Sequence, residues 1–253
     1  MIDAHCHLEQ GAYKNDLNRV IELCKNEGLK ALVSVCAHPK DFDRSLEIVE
    51  KYKNYVFLCA SIHPEFVKEI TAKQIDDYFE RLRENKKKLV AVGETGGDYF
   101  WIRETVWQKK QMELFIRHIE LAKELGKPLV IHCRDAFEDV FRVLENLDAK
   151  QVMLHLFSGH KFIDRIIEND WYISVGPMLL KSKNHNKIVK KVPIEKIMLE
   201  TDSPWFGVNK ERNTPVSVIQ VANKIAEIKK IDTSQVSSLT DINAIGFFSL
   251  SVS

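Results

Sequence analysis

The stretch Ile2-Asp3-Ala4-His5-Cys6-His7 decides how the rest of the chain is read. An apolar start runs into two histidines one residue apart. Alternate side chains of a strand share a face, so His5 and His7 project together from the strand's end. That spacing suits two imidazole ligands on one divalent ion. A surface pair is the plain alternative in a chain with nine histidines. The same stretch weighs on the fold. A doubly wound open sheet usually carries a glycine-rich turn after its first strand. Here the first strand runs into His-Cys-His.

Downstream, apolar runs alternate with helical spacing. Leu17, Val20, Ile21 and Cys24 recur as on one helix face, and Gly28 stops that helix. Ala31 to Val35 reads as the second strand, and Asp41 as the cap of a helix to about Lys53. Val56 to Cys59 is the third strand. Thr71 and Gln74 form a capping box before the stripe Ile75, Tyr78, Phe79 and Leu82. Leu89 to Val92 is the fourth strand, ending at Gly93-Glu94. A long helix follows from Val106 to Leu125, stopped by Gly126-Lys127-Pro128. Leu129 to Ile131, Val152 to Leu154, Trp171 to Val175 and Ile197 to Leu199 complete the strands. Helices are expected around Phe137, Ile163 and Val218, with a final one, frayed, from Asp232.

Eight β–α units with continuous apolar strands are expected of parallel strands covered on both faces. A length of 253 residues suits a closed (β/α)8 TIM barrel. No linker or composition shift interrupts it, so a single domain over residues 1–253 is expected. The chain is 45% hydrophobic and 29% charged, with 10 Gly and 7 Pro, which is globular composition. No apolar run approaches the ~18 residues of a membrane span. The opening residues lack the layout of a secretory leader. The five cysteines have no paired spacing, so a reduced cytoplasmic setting is expected. A net charge of +1 argues against a broad surface for duplex DNA. It leaves room for a strand end held in a small pocket. Lys86-Lys87-Lys88 is either a basic patch or the solvated end of a helix.

The metal-type residues fall at strand ends. His5 and His7 end the first strand, Glu94 the fourth, His132 the fifth and His155 the sixth, and Asp202 follows the eighth. In a barrel all would lie on the C-terminal rim, where active sites are built. A single rim histidine often does no more than bond a neighbouring loop, and a single acid often caps a helix. Four imidazoles and two carboxylates together suffice for two divalent ions sharing one carboxylate. Two cations about 3.5–4 Å apart can bridge a hydroxide and clamp the attacked oxygen. Metal binding lowers the pKa of water from about 15.7 toward about 7.

Five stretches carry a family resemblance. They are Asp3-Ala4-His5-Cys6-His7-Leu8, Gly93-Glu94-Thr95-Gly96-Gly97-Asp98-Tyr99, Ile131-His132-Cys133-Arg134-Asp135-Ala136, His155-Leu156-Phe157-Ser158-Gly159 and Glu200-Thr201-Asp202-Ser203-Pro204. Each resembles a motif of the TatD family, metal-dependent deoxyribonucleases of the amidohydrolase superfamily. Ser61-Ile62-His63-Pro64 and Asn243 to Phe248 resemble two more, so the likeness spans the chain in order. The resemblance implies two divalent cations (zinc, manganese or magnesium). It implies His5, His7 and Asp202 around one, His132 and His155 on the other, and Glu94 between them. It further implies that Asp202 orients or deprotonates the attacking water and that His63 holds the substrate phosphate. Two residues depart from the pattern. Gly97 stands where the family usually has Leu, which is expected to loosen the loop carrying Asp98. Leu156 replaces a smaller residue.

Other residues stay open on sequence grounds. Arg134 can bind phosphate as a bidentate donor or pair with a nearby acid. Asp98 is either a partner for a metal-bound histidine or a loop acid. Trp101, Trp107 and Trp205 can stack a base, though burial is the commoner fate of tryptophan. His38 reads as structural, and His118, His160 and His185 take no role. The expected activity is cleavage of DNA phosphodiesters, from an end or in single strands. A same-fold alternative hydrolyses an aminoacyl-tRNA ester or a small amide. A non-catalytic metal-binding module is the alternative of another class.

Overall fold

Eight parallel strands pair in chain order, β1 (Ile2–Cys6), β2 (Ala31–Cys36), β3 (Val56–Ala60), β4 (Leu89–Asp98), β5 (Leu129–Arg134), β6 (Val152–Leu154), β7 (Tyr172–Val175) and β8 (Ile197–Leu199). The computed structural model describes residues 1–207 and 211–252. The helices are α1 (Leu17–Asn26), α2 (Phe42–Lys51), α3 (Ala72–Glu84), α4 (Thr105–Leu125), α5 (Phe137–Asn146), α6 (Ile163–Glu168), α7 (Lys183–Lys191), α8 (Val218–Lys229) and α9 (Thr233–Phe248). The ring closes where the chain leaves β8. Asp202 N–H donates to the His5 carbonyl at 2.9 Å, and His7 N–H donates to the Ser203 carbonyl at 2.8 Å. The architecture is the (β/α)8 TIM barrel that the alternating pattern predicts.

Strand alternation sorts side chains into two cores. Leu32, Leu58, Leu129, Ile131 and Leu154 point outward against the helices. Val33, Cys59, Ala91, Val130, Met153 and Met198 fill the lumen. At the N-terminal end of the barrel the lumen core continues into Phe247 and Phe248 of α9. Burying such an apolar side chain stabilises by about 1.5–3 kcal/mol. The final helix is therefore firmly packed rather than frayed, and an Asp232–Gln235 capping box starts it. Asn243 fixes it further by donating to the carbonyls of Ile194 and Ile197.

Two bulges turn the rim side chains inward. Asp3 pairs with Leu32 but Cys6 with Ser34, so β1 carries one extra residue there. Ile2 and Ala4 belong to the lumen core while Cys6 belongs to the outer one. The extra residue switches the face, and His5 and His7 inherit the lumen side. In β4, Gly93 pairs with Val130 and Thr95 with Ile131, leaving Glu94 as the inserted residue.

β4 runs six residues beyond the predicted end at Val92. The glycines that read as a stop are what allow it to continue. Gly93 and Gly96 have φ of 157° and 141°, and a Cβ on Gly96 would lie 2.1 Å from the His132 carbonyl oxygen. The backbones of β4 and β5 approach too closely there for any side chain. Gly97 does not loosen the loop either. It pairs with Cys133, and Met112 and Ala136 occupy the space that a side chain would need.

Smaller departures are local. Asp41 makes no side-chain cap to α2; His38 instead caps the short turn before it, accepting from Lys40 N–H. Lys86 to Lys88 follow the end of α3 as an exposed turn leading into the start of β4, at the opposite end from the rim. The helix α7 was not legible. Its sequence is mostly polar, and only His185, Ile188 and Val189 are buried.

Candidate metal centre

At the C-terminal mouth the six predicted residues converge around Glu94. Its Oε1 lies 3.7 Å from His5 Nε2 and 3.5 Å from His7 Nε2. These two nitrogens are 3.2 Å apart. Asp202 Oδ1 lies 3.1 Å from His7 Nε2 and 3.6 Å from His5 Nε2. The other Glu94 oxygen, Oε2, lies 2.8 Å from His155 Nε2 and 3.4 Å from His132 Nδ1. Those two ring nitrogens are 3.0 Å apart. Two donors each about 2.1 Å from one ion are about 3.0–3.4 Å apart at octahedral or tetrahedral angles. The spacings therefore fit divalent cations. Proximity alone also groups His5 with His155 and Asp202, and His63 with Glu94 and His132. The tautomer of His63 sets it apart from the ligand-type rings.

In His7, His132 and His63 the second ring nitrogen reports which lone pair is free. His7 Nδ1 donates to the Val35 carbonyl at 2.8 Å, leaving Nε2 to face the cluster. His132 Nε2 donates to Asp98 Oδ2 at 2.9 Å, leaving Nδ1. This is the ligand-orienting arrangement of metal sites. His63 is the reverse case. Its Nδ1 accepts from Glu65 N–H at 3.2 Å, which puts the proton on Nε2, 3.8 Å from Glu94 Oε2. Nε2–H is a donor toward the cavity and offers no lone pair. His63 is thus built as a hydrogen-bond donor, although it sits among potential ligands.

Burial raises the pKa of both carboxylates, yet both end below their ordinary range. For Glu94 the neighbouring imidazoles, His155 foremost, outweigh burial. For Asp202 the bond and charge of His7 do so. Burial lowers His63 to about 3, helped by His132, so this imidazole is neutral. A pocket that holds two buried carboxylates ionised calls for compensating positive charge. His7, His132 and His155, raised by their carboxylate neighbours despite burial, supply it when protonated, and a divalent cation among the same donors would supply it in their place.

Two further acids hold the site in place, and sequence reasoning gave neither a role. Asp3 is fully buried and accepts from the N–H groups of His5 and Thr201 and from the Thr201 hydroxyl. It ties the end of β1 to the segment bearing Asp202. Glu200, also fully buried, accepts from Leu156 N–H at 2.6 Å and from Ser174 Oγ at 2.7 Å. Leu156 has φ of 42°, so the bond holds a residue that disfavours this conformation directly after His155. Only their place inside the quoted motifs pointed to these acids.

The remaining candidates scatter around the mouth. A cavity of about 810 Å³ opens over the cluster, lined among others by His63, Arg134, His38 and His185. Arg134 stacks on the Phe100 ring at 3.7 Å and has no carboxylate partner among the described residues. Asp98 is buried and serves His132, so it is not a loose loop acid. Trp101 and Trp205 are exposed on the cavity wall, against the expectation of burial. His118 is a buried bridge from α4 to the ends of β3 and β4. It accepts from Ile62 N–H and lies 3.1 Å from the Thr95 hydroxyl.

A ring of parallel strands bearing four imidazoles and two carboxylates at its C-terminal mouth defines a barrel hydrolase of the metal-dependent class. The TatD related DNase family model matches residues 2–249, and the chain belongs to that family. A mouse relative named putative deoxyribonuclease TATDN3 is 33% identical, the match covering 98% of this chain and 88% of the relative. The uncharacterized metal-dependent hydrolase YabD of Bacillus subtilis is 32% identical, with 98% of each chain covered. The crystal structure of a TatD family hydrolase from Entamoeba histolytica superposes with a TM-score of 0.90 at 22% identity, covering 98% of this chain and 97% of that one. This last likeness speaks for the fold.

Proposed function

We propose that this chain is a two-metal deoxyribonuclease that hydrolyses phosphodiesters in single strands or at strand ends. The observation that carries the reading is the division of Glu94, one oxygen toward His5 and His7 and the other toward His132 and His155. We assign His5, His7 and Asp202 to one cation, His132 and His155 to the other, and Glu94 to both. When bound, two divalent cations (zinc, manganese or magnesium) supply Lewis acidity toward a phosphoryl oxygen and lower the pKa of water. The donor chemistry, neutral imidazole with few carboxylates, suits zinc or manganese better than magnesium.

The protein's own groups do the rest. Asp202 is ionised at neutral pH and uses one oxygen toward His7; its second oxygen orients the attacking water and accepts its proton. His63 donates through Nε2–H to a non-bridging phosphate oxygen and stays neutral throughout. Arg134 keeps its guanidinium edge free while its face rests on Phe100, so the edge can meet a second phosphate. The DNA substrate follows from the relative's name and from these phosphate donors.

A cytoplasmic setting agrees with five free cysteines, four of them buried. No helix among the described residues is long and apolar enough to cross a membrane. We further propose that the chain works as a single domain over 1–253.

The test is incubation of metal-loaded protein with labelled single-stranded DNA, RNA, an aminoacyl-tRNA and a small amide, beside a chelated control. Metal-dependent cutting of DNA is expected. Turnover of the ester or amide alone would move the protein to the other hydrolase chemistry. No turnover of any substrate would leave a metal-binding module.

A further inference from the structure

Every exposed Phe, Tyr or Trp side chain among the described residues falls into one of two adjacent pairs, Phe100-Trp101 after β4 and Trp205-Phe206 after β8. Trp101 is 62% exposed and Trp205 45%, and both line the cavity over the cluster. Isolated exposed apolar side chains need no explanation, but a set confined to one mouth does.

The two tryptophans are each held by a backbone N–H bond to an aspartate of the site. Each stands three residues beyond a carboxylate of the site. Trp101 N–H donates to Asp98 Oδ1 at 2.8 Å, and the other Asp98 oxygen accepts from His132. Trp205 N–H donates to the Asp202 carbonyl at 3.0 Å, and its ring meets His7 edge to face, with centroids 4.7 Å apart. One indole is thus anchored to the His132 group and the other to the His7 group. Phe100 and Arg134 brace the first, the guanidinium lying 3.7 Å from the Phe100 centroid and 5.6 Å from that of Trp101.

We propose that Trp101 and Trp205 are stacking platforms for the two nucleobases that flank the phosphodiester being cut. The proposal rests on the phosphodiesterase reading above and specifies its substrate, a strand whose bases are unpaired and unstacked on both sides of the cut. The occupant is set by chemistry at the mouth. Phosphate is held over the cluster by His63 and Arg134, and a nucleotide chain presents a flat π-face on either side of each phosphate. An indole accepts any base, so the platforms confer little sequence preference. Duplex DNA keeps its bases paired and offers them to neither ring.

The experiment compares a thymidine tetranucleotide with a tetramer of the same phosphates in which tetrahydrofuran replaces every base-bearing sugar. Affinity for the metal-loaded protein is read by stopped-flow quenching of tryptophan fluorescence before turnover, and by KM. Wild type is expected to prefer the base-bearing tetramer by about tenfold or more per platform. Trp101→Ala and Trp205→Ala should each reduce that preference, and Trp101→Phe and Trp205→Phe should keep most of it. Equal base preference in wild type and both alanine variants would overturn the proposal even if DNA is cut. If instead no DNA is cut but base-dependent quenching persists and falls in the alanine variants, the stacking sites stand and the phosphodiesterase reading fails.

Discussion

His132 faces the cluster through Nδ1 because its Nε2 donates to Asp98 Oδ2 at 2.9 Å. Removing that acceptor frees the ring to turn and to change tautomer. Asp98→Ala is therefore expected to weaken metal binding by about 10–100-fold. Competition titration against a chromogenic chelator measures this directly. An unchanged affinity would show that the Asp98 bond does not orient the ring.

Asp202→Asn keeps an oxygen near His7 but removes the negative charge and the proton acceptor. A drop in kcat of about 10²–10⁴-fold is expected, with a smaller change in KM. Metal content should be measured alongside, since Asp202 is also a proposed ligand. A fully loaded variant within a few-fold of wild type removes the residue from the proton transfer.

His63→Ala should raise KM while leaving both cations in place, because the ring offers a donor rather than a lone pair to the site. The discriminating measurement is metal stoichiometry in the purified variant. Loss of one equivalent would make His63 a ligand and reverse the tautomer assignment. His63 is neutral, so Arg134 is the one cationic side chain proposed to meet phosphate, and few phosphates are neutralised. The salt dependence of KM on single strands should then be shallow, with a log–log slope near about −0.7 per contacted phosphate.

His118 is neutral in the fold, its pKa pushed down to about 3 by burial, against an ordinary value of 6.5. Its folded value is depressed, so the stability it contributes is complete above pH 6.5. It is lost as the pH falls toward 3, where the unfolded chain takes up a proton that the fold refuses. The loss is about 1.4 kcal/mol per pH unit in that window, or about 2–3 kcal/mol by pH 4.5. His118→Gln retains an acceptor for Ile62 N–H and does not titrate. Its melting temperature should fall less than that of wild type between pH 7 and 4.5. Parallel curves would assign the acid sensitivity elsewhere.

The barrel was legible because its strands are short apolar runs and its helices carry clean stripes, as with Tyr78, Phe79 and Leu82 on α3. The cluster was legible because ligand-type side chains stand at successive strand ends. What stayed hidden depends on neighbours distant in sequence. The extension of β4 past Gly93 requires knowing that β5 passes too close for a Cβ. The bulges that aim His5 and Glu94 exist only as a mismatch between two strands. The opposite tautomers of His63 and His132 come from a backbone N–H and a carboxylate that no spacing rule connects to them. Trp101 and Trp205 contradict the usual burial of their residue type because the turns after Asp98 and Asp202 hold them at the mouth.

The seam of the ring has a consequence for biosynthesis. The contact between His7 and Asp202 spans 195 positions of sequence. At about 5–20 residues per second, a ribosome releases His5 and His7 roughly 10–40 s before Asp202 is made. During that interval Glu94, His132 and His155 join the two imidazoles on the nascent chain, and only Asp202 of the six is still to be made. The last strand must then reach the first, a closure whose entropic cost is about 5 kcal/mol for a loop of this length. Asp3, Thr201 and the backbone of His5 make the bonds that join the two ends. Completing the fold and completing the metal-binding set are therefore one event, and selection of the resident ion falls to the finished protein rather than to its emerging end.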